Sequence, residues 1–182
     1  MILARWRSRR SNRLLIDQLH GKIVAAARRP ALYVALGAPD TFEGRFEMMT
    51  LHAGLVMRAL SALPGFGREL AQELADSVFR HFDIALREIG VSDVAMPKRM
   101  KRLAEAFYGR NKAYGEALDA DDAAMLSSAL ARNVYGAADA GEARALAVYV
   151  AKCARALAAI PLERFAAGDI AFPEIDAAGG PS

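Results

Sequence analysis

The stretch FRHFDIALREIGVSDVAMPKRMKRLAEAFYGRNKAYGEAL, residues 79–118, decides the fold because it contains the clearest helix boundaries in the chain. Its first part is an amphipathic helix that ends at Gly90, a residue type that accepts the left-handed conformation past a helix C-terminus. A short connector leads to Pro97, whose fixed φ and missing N–H suit the first turn of a helix. The stretch therefore predicts a hairpin of two amphipathic helices.

The second helix of this hairpin begins with four cations, which are Lys98, Arg99, Lys101 and Arg102. The helix macrodipole places partial positive charge at that end, so cations there are mildly destabilising. A requirement other than helix stability is therefore indicated. The cluster could bind phosphate groups of RNA, lipid headgroups or an acidic protein, and an ordinary solvated face is the alternative interpretation.

The same helical spacing of apolar residues continues on both sides of the hairpin. It predicts six helices, at residues 9–27, 42–63, 67–89, 97–118, 123–135 and 140–159. In the helix at residues 67–89 the inward row includes Phe82, Leu86 and Ile89. The 54% of hydrophobic residues include many alanines, and strand-like runs of β-branched residues are missing. We therefore predict an all-α, single-domain helical bundle of about six helices with a basic amphipathic N-terminal helix.

The positive charge is concentrated at the start of the chain. Residues 1–30 carry eight cations against Asp17 alone, a net charge of +7, whereas the whole chain has +3, which leaves −4 for residues 31–182. We predict a basic amphipathic arm over residues 1–29, a helical domain over residues 30–172 and a disordered tail over residues 173–182. No apolar run approaches the roughly 20 residues that span a bilayer, and no secretory signal is recognisable.

Three interpretations of the arm stay open. It resembles an organellar transit peptide, it could be a basic helix that binds an anionic membrane or RNA, or it is an ordinary helix packed on the domain. On a membrane, Trp6, Leu14, Leu15 and Leu19 would insert while the arginines reach phosphates. The arginines in question are Arg5, Arg7, Arg9, Arg10 and Arg13.

Signatures of catalysis are absent from the sequence. The glycines form neither a P-loop nor a dinucleotide fingerprint, and no Gly-x-Ser-x-Gly motif is present. His20, His52 and His81 lie on different predicted helices, without the spaced partners that seat a metal on one helix face. The single cysteine, Cys153, lies in an apolar helical row and is interpreted as a small buried hydrophobe. We therefore predict no catalytic residues, no metal site and no cofactor.

Three segments of the chain together resemble the signature of the ubiquinol–cytochrome c chaperone family. They are LREIGVSD at residues 86–93, PKRMK at residues 97–101 and AFYGR at residues 106–110, followed by Tyr114. The family pattern is close to L-R-E-M-G-V-G-D, then V-P-K-x-M-K, then A-F-Y-G-R. The resemblance extends over roughly residues 30–160 and includes weaker matches at Tyr33, Phe42, Glu43, His52 and Arg58.

The chain departs from this pattern at three positions. Ile89 replaces methionine and Met96 replaces valine, which keeps the apolar bulk, and Ser92 replaces a glycine but can still form a turn. Within the motif, Gly90, Pro97 and Gly109 are expected to serve backbone geometry.

The resemblance implies a non-enzymatic assembly factor of respiratory complex III. Such a protein binds newly made cytochrome b and holds it until haem insertion and assembly. Mitochondrial relatives act with a small partner protein and associate with ribosomes near the tunnel exit, so the ribosome is a further expected partner, whereas DNA is not. The short chain, rich in alanine and arginine, favours a bacterial member that is cytoplasmic and peripheral on the inner face of the inner membrane. The matrix side of the mitochondrial inner membrane is the alternative.

We predict that one surface of the hairpin contacts the client or the ribosome. Its residues are Arg87, Lys98, Arg99, Lys101, Arg102, Tyr108 and Arg110. The first competing interpretation is a peripheral membrane protein, a lipid- or ligand-binding helical bundle anchored by its basic arm. The second is an enzyme that uses carboxylates of the bundle.

Overall fold

A computed structural model describes the backbone of residues 2–65, 67–137 and 139–175, and the side chains from residue 12 onward except those of residues 140 and 142. All regular structure in these ranges is helical. The helices are α1 Ile2–Ala27, α2 Pro30–Val34, α3 Phe42–Ala62, α4 Gly67–Glu88, α5 Met96–Asp119, α6 Ala123–Leu130, α7 Arg144–Ala158 and α8 Leu162–Ala166. A π-helical turn, Ala131–Tyr135, extends α6, and a 3-10 turn, Ala140–Ala143, precedes α7. The predicted all-α bundle is confirmed.

Local chemistry explains where these helices begin and end. Thr41 caps α3, because its Oγ1 accepts a hydrogen bond from the Gly44 amide at 3.1 Å. Asp122 caps α6 in the same way through the Met125 amide, at 2.8 Å. Gly90 has a φ of +88°, so the predicted left-handed residue after α4 is confirmed. Pro97 lies in the first turn of α5, also as predicted.

Helix α3 forms the centre of the bundle, because α1, α4, α5 and α7 all pack against it. Its side chains are buried along most of its length, and they include three polar residues as well as the apolar core. These are Glu47, Thr50 and His52. Polar residues in the central helix must find partners inside the protein or remain unsatisfied, because bulk water does not reach them.

The second half of α1 belongs to the same core. Leu15, Leu19 and Ile23 are buried against α3 and α4, so two of the three leucines that a membrane anchor would insert are already covered by protein. Leu14 and Arg13 are exposed. The side chains of Arg5, Arg7, Arg9 and Arg10 lie outside the described residues, and the predicted boundary at residue 29 stays a prediction.

Arg29 connects the end of α1 to the end of the described chain. Its guanidinium donates to the Pro173 carbonyl at 2.6 Å and to the Phe172 carbonyl at 3.1 Å. Phe172 and Ile170 are buried, and Ile175 packs against the core. The tail predicted over residues 173–182 therefore begins as a docked segment, while residues 176–182 lie outside the described residues.

Candidate functional site

The four predicted cations occupy the first turns of α5 and are exposed. Lys101 lies 3.9 Å from Glu105, a weak pair between two exposed side chains. In the part of the chain that the structure describes, no carboxylate lies within ion-pair distance of Lys98, Arg99 or Arg102. The N-cap position has no side-chain hydrogen bond, and the first turn has no acidic residue. The helix end that disfavours cations thus presents several of them to solvent.

Arg87 has a different environment from these cations. Its Nε donates to Asp83 Oδ2 at 2.8 Å, and its Nη1 donates to Asp93 in the connector. These hydrogen bonds raise the pKa of Arg87 and tie the last turn of α4 to the connector before α5. Arg87 therefore shapes the hairpin while its side chain remains half exposed.

Arg110 points into the bundle, away from the other cations. Its Nε lies 2.7 Å and 2.6 Å from the two carboxylate oxygens of Glu47, and its guanidinium lies 5.7 Å from the centre of the Phe46 ring. The Glu47 side chain is only 6% exposed, against 25% for Arg110. Burial raises the pKa of Glu47, and the hydrogen bond from Arg110 opposes this shift. The structure thus separates Arg110 from the surface on which the sequence placed it.

The hairpin also exposes large apolar side chains. Val94 in the connector is 94% exposed, Ile89 is 59% exposed and Ile84 is 57% exposed. Tyr108 is half exposed, and its ring is supported by Phe79 and Phe107 at 5.8 Å and 5.4 Å between centroids. The inward position predicted for Ile89 is wrong, because α4 ends at Glu88 and the backbone turns away at Gly90. Apolar and cationic side chains therefore share this hairpin.

A cavity of about 190 Å³ lies between α3 and α5, beside Tyr108. Its lining is largely apolar, with Leu51 and Leu55 from α3 facing Phe107 and Leu118 from α5. Both helices bring a glycine to it, Gly54 on α3 and Gly115 on α5. A Cβ at Gly54 would collide with the Asn111 amide, so the absence of a side chain there lets Asn111 pack against the α3 backbone. No periodic pattern of residues predicts this cavity, because it depends on how two helices from separate parts of the chain meet.

Two polar side chains in the cavity lining have unsatisfied atoms. Asn111 Nδ2 and Tyr114 Oη are buried and have no hydrogen-bond partner among the described residues. Burial raises the pKa of Tyr114; the Asn133 side chain opposes this shift but does not reach hydrogen-bonding geometry with Oη. A buried polar group without a partner costs about 1–3 kcal/mol of stability. Their position at a cavity is therefore a feature that folding alone does not explain.

The opposite side of α3 contains a fully bonded polar cluster. His52 Nδ1 donates to the Met48 carbonyl at 2.7 Å, which leaves Nε2 to accept from the Tyr149 hydroxyl at 2.9 Å. Burial lowers the pKa of His52 to about 4, so the ring is neutral at physiological pH. Phe172 covers the ring at 5.0 Å between centroids. Cys153 lies beside Tyr149, is fully buried as predicted, and burial raises its pKa to about 11.

The other two histidines meet at the α1–α4 interface. Their ring centroids are 5.2 Å apart, and His20 Nδ1 lies 2.8 Å from Ser77 Oγ. Within the described ranges, no group of three or more histidine, cysteine or acidic side chains is placed to hold a metal ion. No helix in those ranges combines the length and the apolar character needed to cross a bilayer.

The fold is an all-α bundle whose α4–α5 hairpin exposes cationic and apolar side chains. Residues 34–172 match the family described as ubiquinol-cytochrome C chaperone, and the chain belongs to that family. It is also similar to a solved structure, the crystal structure of the Cbp3 homolog from Brucella abortus, with a TM-score of 0.87 and 42% sequence identity. The match covers 97% of this chain and 98% of that chain. A comparison with curated proteins finds no match. The family resemblance seen in the hairpin motifs is thereby confirmed.

Proposed function

We propose that this chain binds newly made cytochrome b and promotes its assembly into ubiquinol–cytochrome c reductase, without catalysing a reaction. Membership of the chaperone family supports an assembly role. The observation that carries the proposal is the hairpin surface, where exposed Ile84, Ile89 and Val94 occur with unpaired cations. Where exposed apolar side chains form a contiguous patch, they mark sites that bind other proteins or membranes.

The charges on this surface fit a client that is rich in membrane helices. Such a client is met at the bilayer, where lipid phosphates surround its apolar segments. Cations gain about 1 kcal/mol each near an anionic membrane surface. Among the described side chains, no carboxylate pairs with Lys98, Arg99 or Arg102 and competes for them, so they are free to bind phosphates beside the client.

Charge reversal on the hairpin tests this proposal. We expect Lys98→Glu/Lys101→Glu to abolish co-purification of cytochrome b from detergent extracts, because two contacts become repulsive. The matched control is Arg68→Glu/Lys112→Glu, which changes the charge equally at two exposed positions outside the cluster. Circular dichroism and thermal unfolding check that both variants fold. Unchanged co-purification with the first variant would exclude this surface as the contact site.

A deletion strain tests the function independently of the surface. We expect reduced cytochrome b and reduced complex III activity when the gene is removed. Restoring the wild-type chain should restore both quantities. Normal cytochrome b levels in the deletion strain would exclude the assembly role.

We also propose a peripheral location on the inner face of the inner membrane, with α1 as the contact. Arg13 and Leu14 are exposed on that helix, next to the arginine-rich residues 5–10. Flotation with vesicles that contain anionic lipid should depend on Arg5, Arg7, Arg9 and Arg10, and glutamine at these positions should prevent it. Flotation of that variant at the wild-type level would exclude α1 as the contact. Sedimentation with ribosomes is the separate test of a ribosomal contact.

A further inference from the structure

The cavity between α3 and α5 combines three properties of a peptide-binding pocket. Its volume of about 190 Å³ suits a single side chain, since an apolar cavity of about 150 Å³ holds benzene. Its walls are mainly aliphatic and aromatic, with Leu51, Leu55 and Phe107 among them. The lining also includes Tyr108, the exposed aromatic residue of the hairpin surface.

Two polar atoms at this cavity are available for hydrogen bonds to a ligand. Asn111 Nδ2 is a donor and Tyr114 Oη is a donor and acceptor, and neither has a partner within the described structure. Tyr114 is only 3% exposed, so solvent at the protein surface does not satisfy its hydroxyl. A ligand that supplied a carbonyl oxygen to these residues would remove the cost of leaving them unpaired.

We propose that this cavity receives one apolar side chain, of leucine to phenylalanine size, from the client polypeptide, with Asn111 donating to a backbone carbonyl beside it. The inference rests on the proposed function and names the pocket through which the client is held. A backbone carbonyl inside a helix is already bonded within that helix, whereas the last four carbonyls of a helix and those of unfolded chain are free. The pocket therefore selects a client segment that has not completed its folding, and it releases that segment once the carbonyl is bonded elsewhere.

Two glycines provide a matched test of this pocket. Gly115 lies in the cavity lining on α5, and a Cβ there would meet only Arg58 Nη1 at 3.8 Å, an ordinary contact. Gly115→Leu should therefore fill the cavity without moving the backbone. Gly21, exposed on α1, has nothing within 4 Å of a Cβ, so Gly21→Leu makes the same change far from the cavity.

The measured quantity is cytochrome b retained per chaperone chain in detergent extracts. We expect Gly115→Leu to lower it at least tenfold, while Gly21→Leu and the wild type retain equal amounts. Thermal unfolding should show both variants folded. If the wild type retains cytochrome b and Gly115→Leu retains as much, the pocket is wrong and the proposed function stands. If the wild type retains none, the proposed function is wrong.

A second variant tests the polar part of the proposal. Asn111→Leu keeps the number of side-chain heavy atoms and the branch point, and it removes the unpaired donor. We expect this variant to unfold at the same or a higher temperature than the wild type and to retain severalfold less cytochrome b. Wild-type retention by Asn111→Leu would overturn the role of Asn111. A change in the oligomeric state of Gly115→Leu in sedimentation, with retention unchanged, would show instead that the cavity is a contact between copies of this chain.

Discussion

The two sides of α3 differ in how they treat buried polar groups. Toward α7, both ring nitrogens of His52 have partners, and Phe172 covers the ring. Toward α5, the Glu47–Arg110 pair is followed by a cavity at which Asn111 and Tyr114 have unsatisfied atoms. A complete buried network fixes one geometry, whereas an incomplete one leaves bonding capacity for something else. The α7 side is therefore complete without a ligand, and the α5 side is the one to which our proposal assigns binding.

Breaking the Glu47–Arg110 pair should cause the largest loss of stability. Arg110→Ala leaves a buried carboxylate unpaired, which costs about 3–5 kcal/mol of unfolding free energy. Arg58→Ala, at the exposed pair with Asp119 on the same interface, is the matched control and should cost much less. Urea unfolding at pH 7 measures both.

The pH dependence of that loss identifies its cause. Burial raises the pKa of Glu47 above its value in the unfolded chain. The loss of stability caused by the buried charge is therefore complete above the raised pKa and absent below the pKa of the unfolded chain. The difference in stability between wild type and Arg110→Ala should therefore shrink as the solution is acidified through this range. A difference that is independent of pH would show that lost packing, and not the unpaired charge, destabilises the variant.

His52 should make the α7 side sensitive to acid. Its pKa falls from 6.5 in the unfolded chain to about 4 in the fold, so its stabilising effect is complete above pH 6.5 and is lost as the pH falls toward 4. This shift corresponds to about 3 kcal/mol. His52→Gln should lose less stability over that range than the wild type does. An equally steep fall in His52→Gln would assign the acid sensitivity to other groups, such as His20 and His81, whose pKa values burial also lowers.

Substitution of Gly54 should measure how closely α3 and α5 pack beside the cavity. A Cβ at Gly54 would overlap the Asn111 amide, so we expect Gly54→Ala to destabilise the protein by about 1–3 kcal/mol. The double variant Gly54→Ala/Asn111→Ala removes the overlap and should recover part of this loss. No recovery would mean that Asn111 is not what excludes a side chain at Gly54.

Substitution of Gly115 should change the stability least, and it should raise the stability. It lies in the interior of α5 with room for a methyl group, so Gly115→Ala should stabilise the protein by about 0.5–1 kcal/mol through helix propensity. Thermal unfolding measures the gain. A loss of stability would show that the cavity wall at this position is less open than the structure indicates.

The helices could be predicted from the sequence because their signals are local. Gly90, Thr41 and Asp122 act within one turn of the helices that they delimit, and the structure confirms the helix end predicted at Gly90. The helix predicted over residues 123–135 is instead divided into an α-helical and a π-helical part at Ala131. Hydrophobic period does not distinguish these two forms, since both continue the same row of buried residues.

The candidate site could be predicted only in part, for a different physical reason. Lys98 and Arg99 are charged residues at the start of a helix, so their exposure could be predicted without knowing how that helix packs. The inward turn of Arg110 depends on Glu47, which is 63 residues away, and the cavity depends on the glycines of two helices. Such features follow from tertiary packing, for which one sequence contains no local signal.

The contact between Arg29 and residues 172–173 has a consequence for how the protein is made. Helices α3 and α4 are neighbours in the chain and can pair while synthesis continues, whereas Arg29 and Pro173 are separated by 144 residues. Closing so long a loop must await the arrival of its second end. Arg29 at the end of the first helix can therefore bond to the segment with Phe172, whose ring covers His52, only after residue 173 has left the ribosome. Until that moment the chaperone is itself an unfinished chain, in the same condition as the client that we propose it binds.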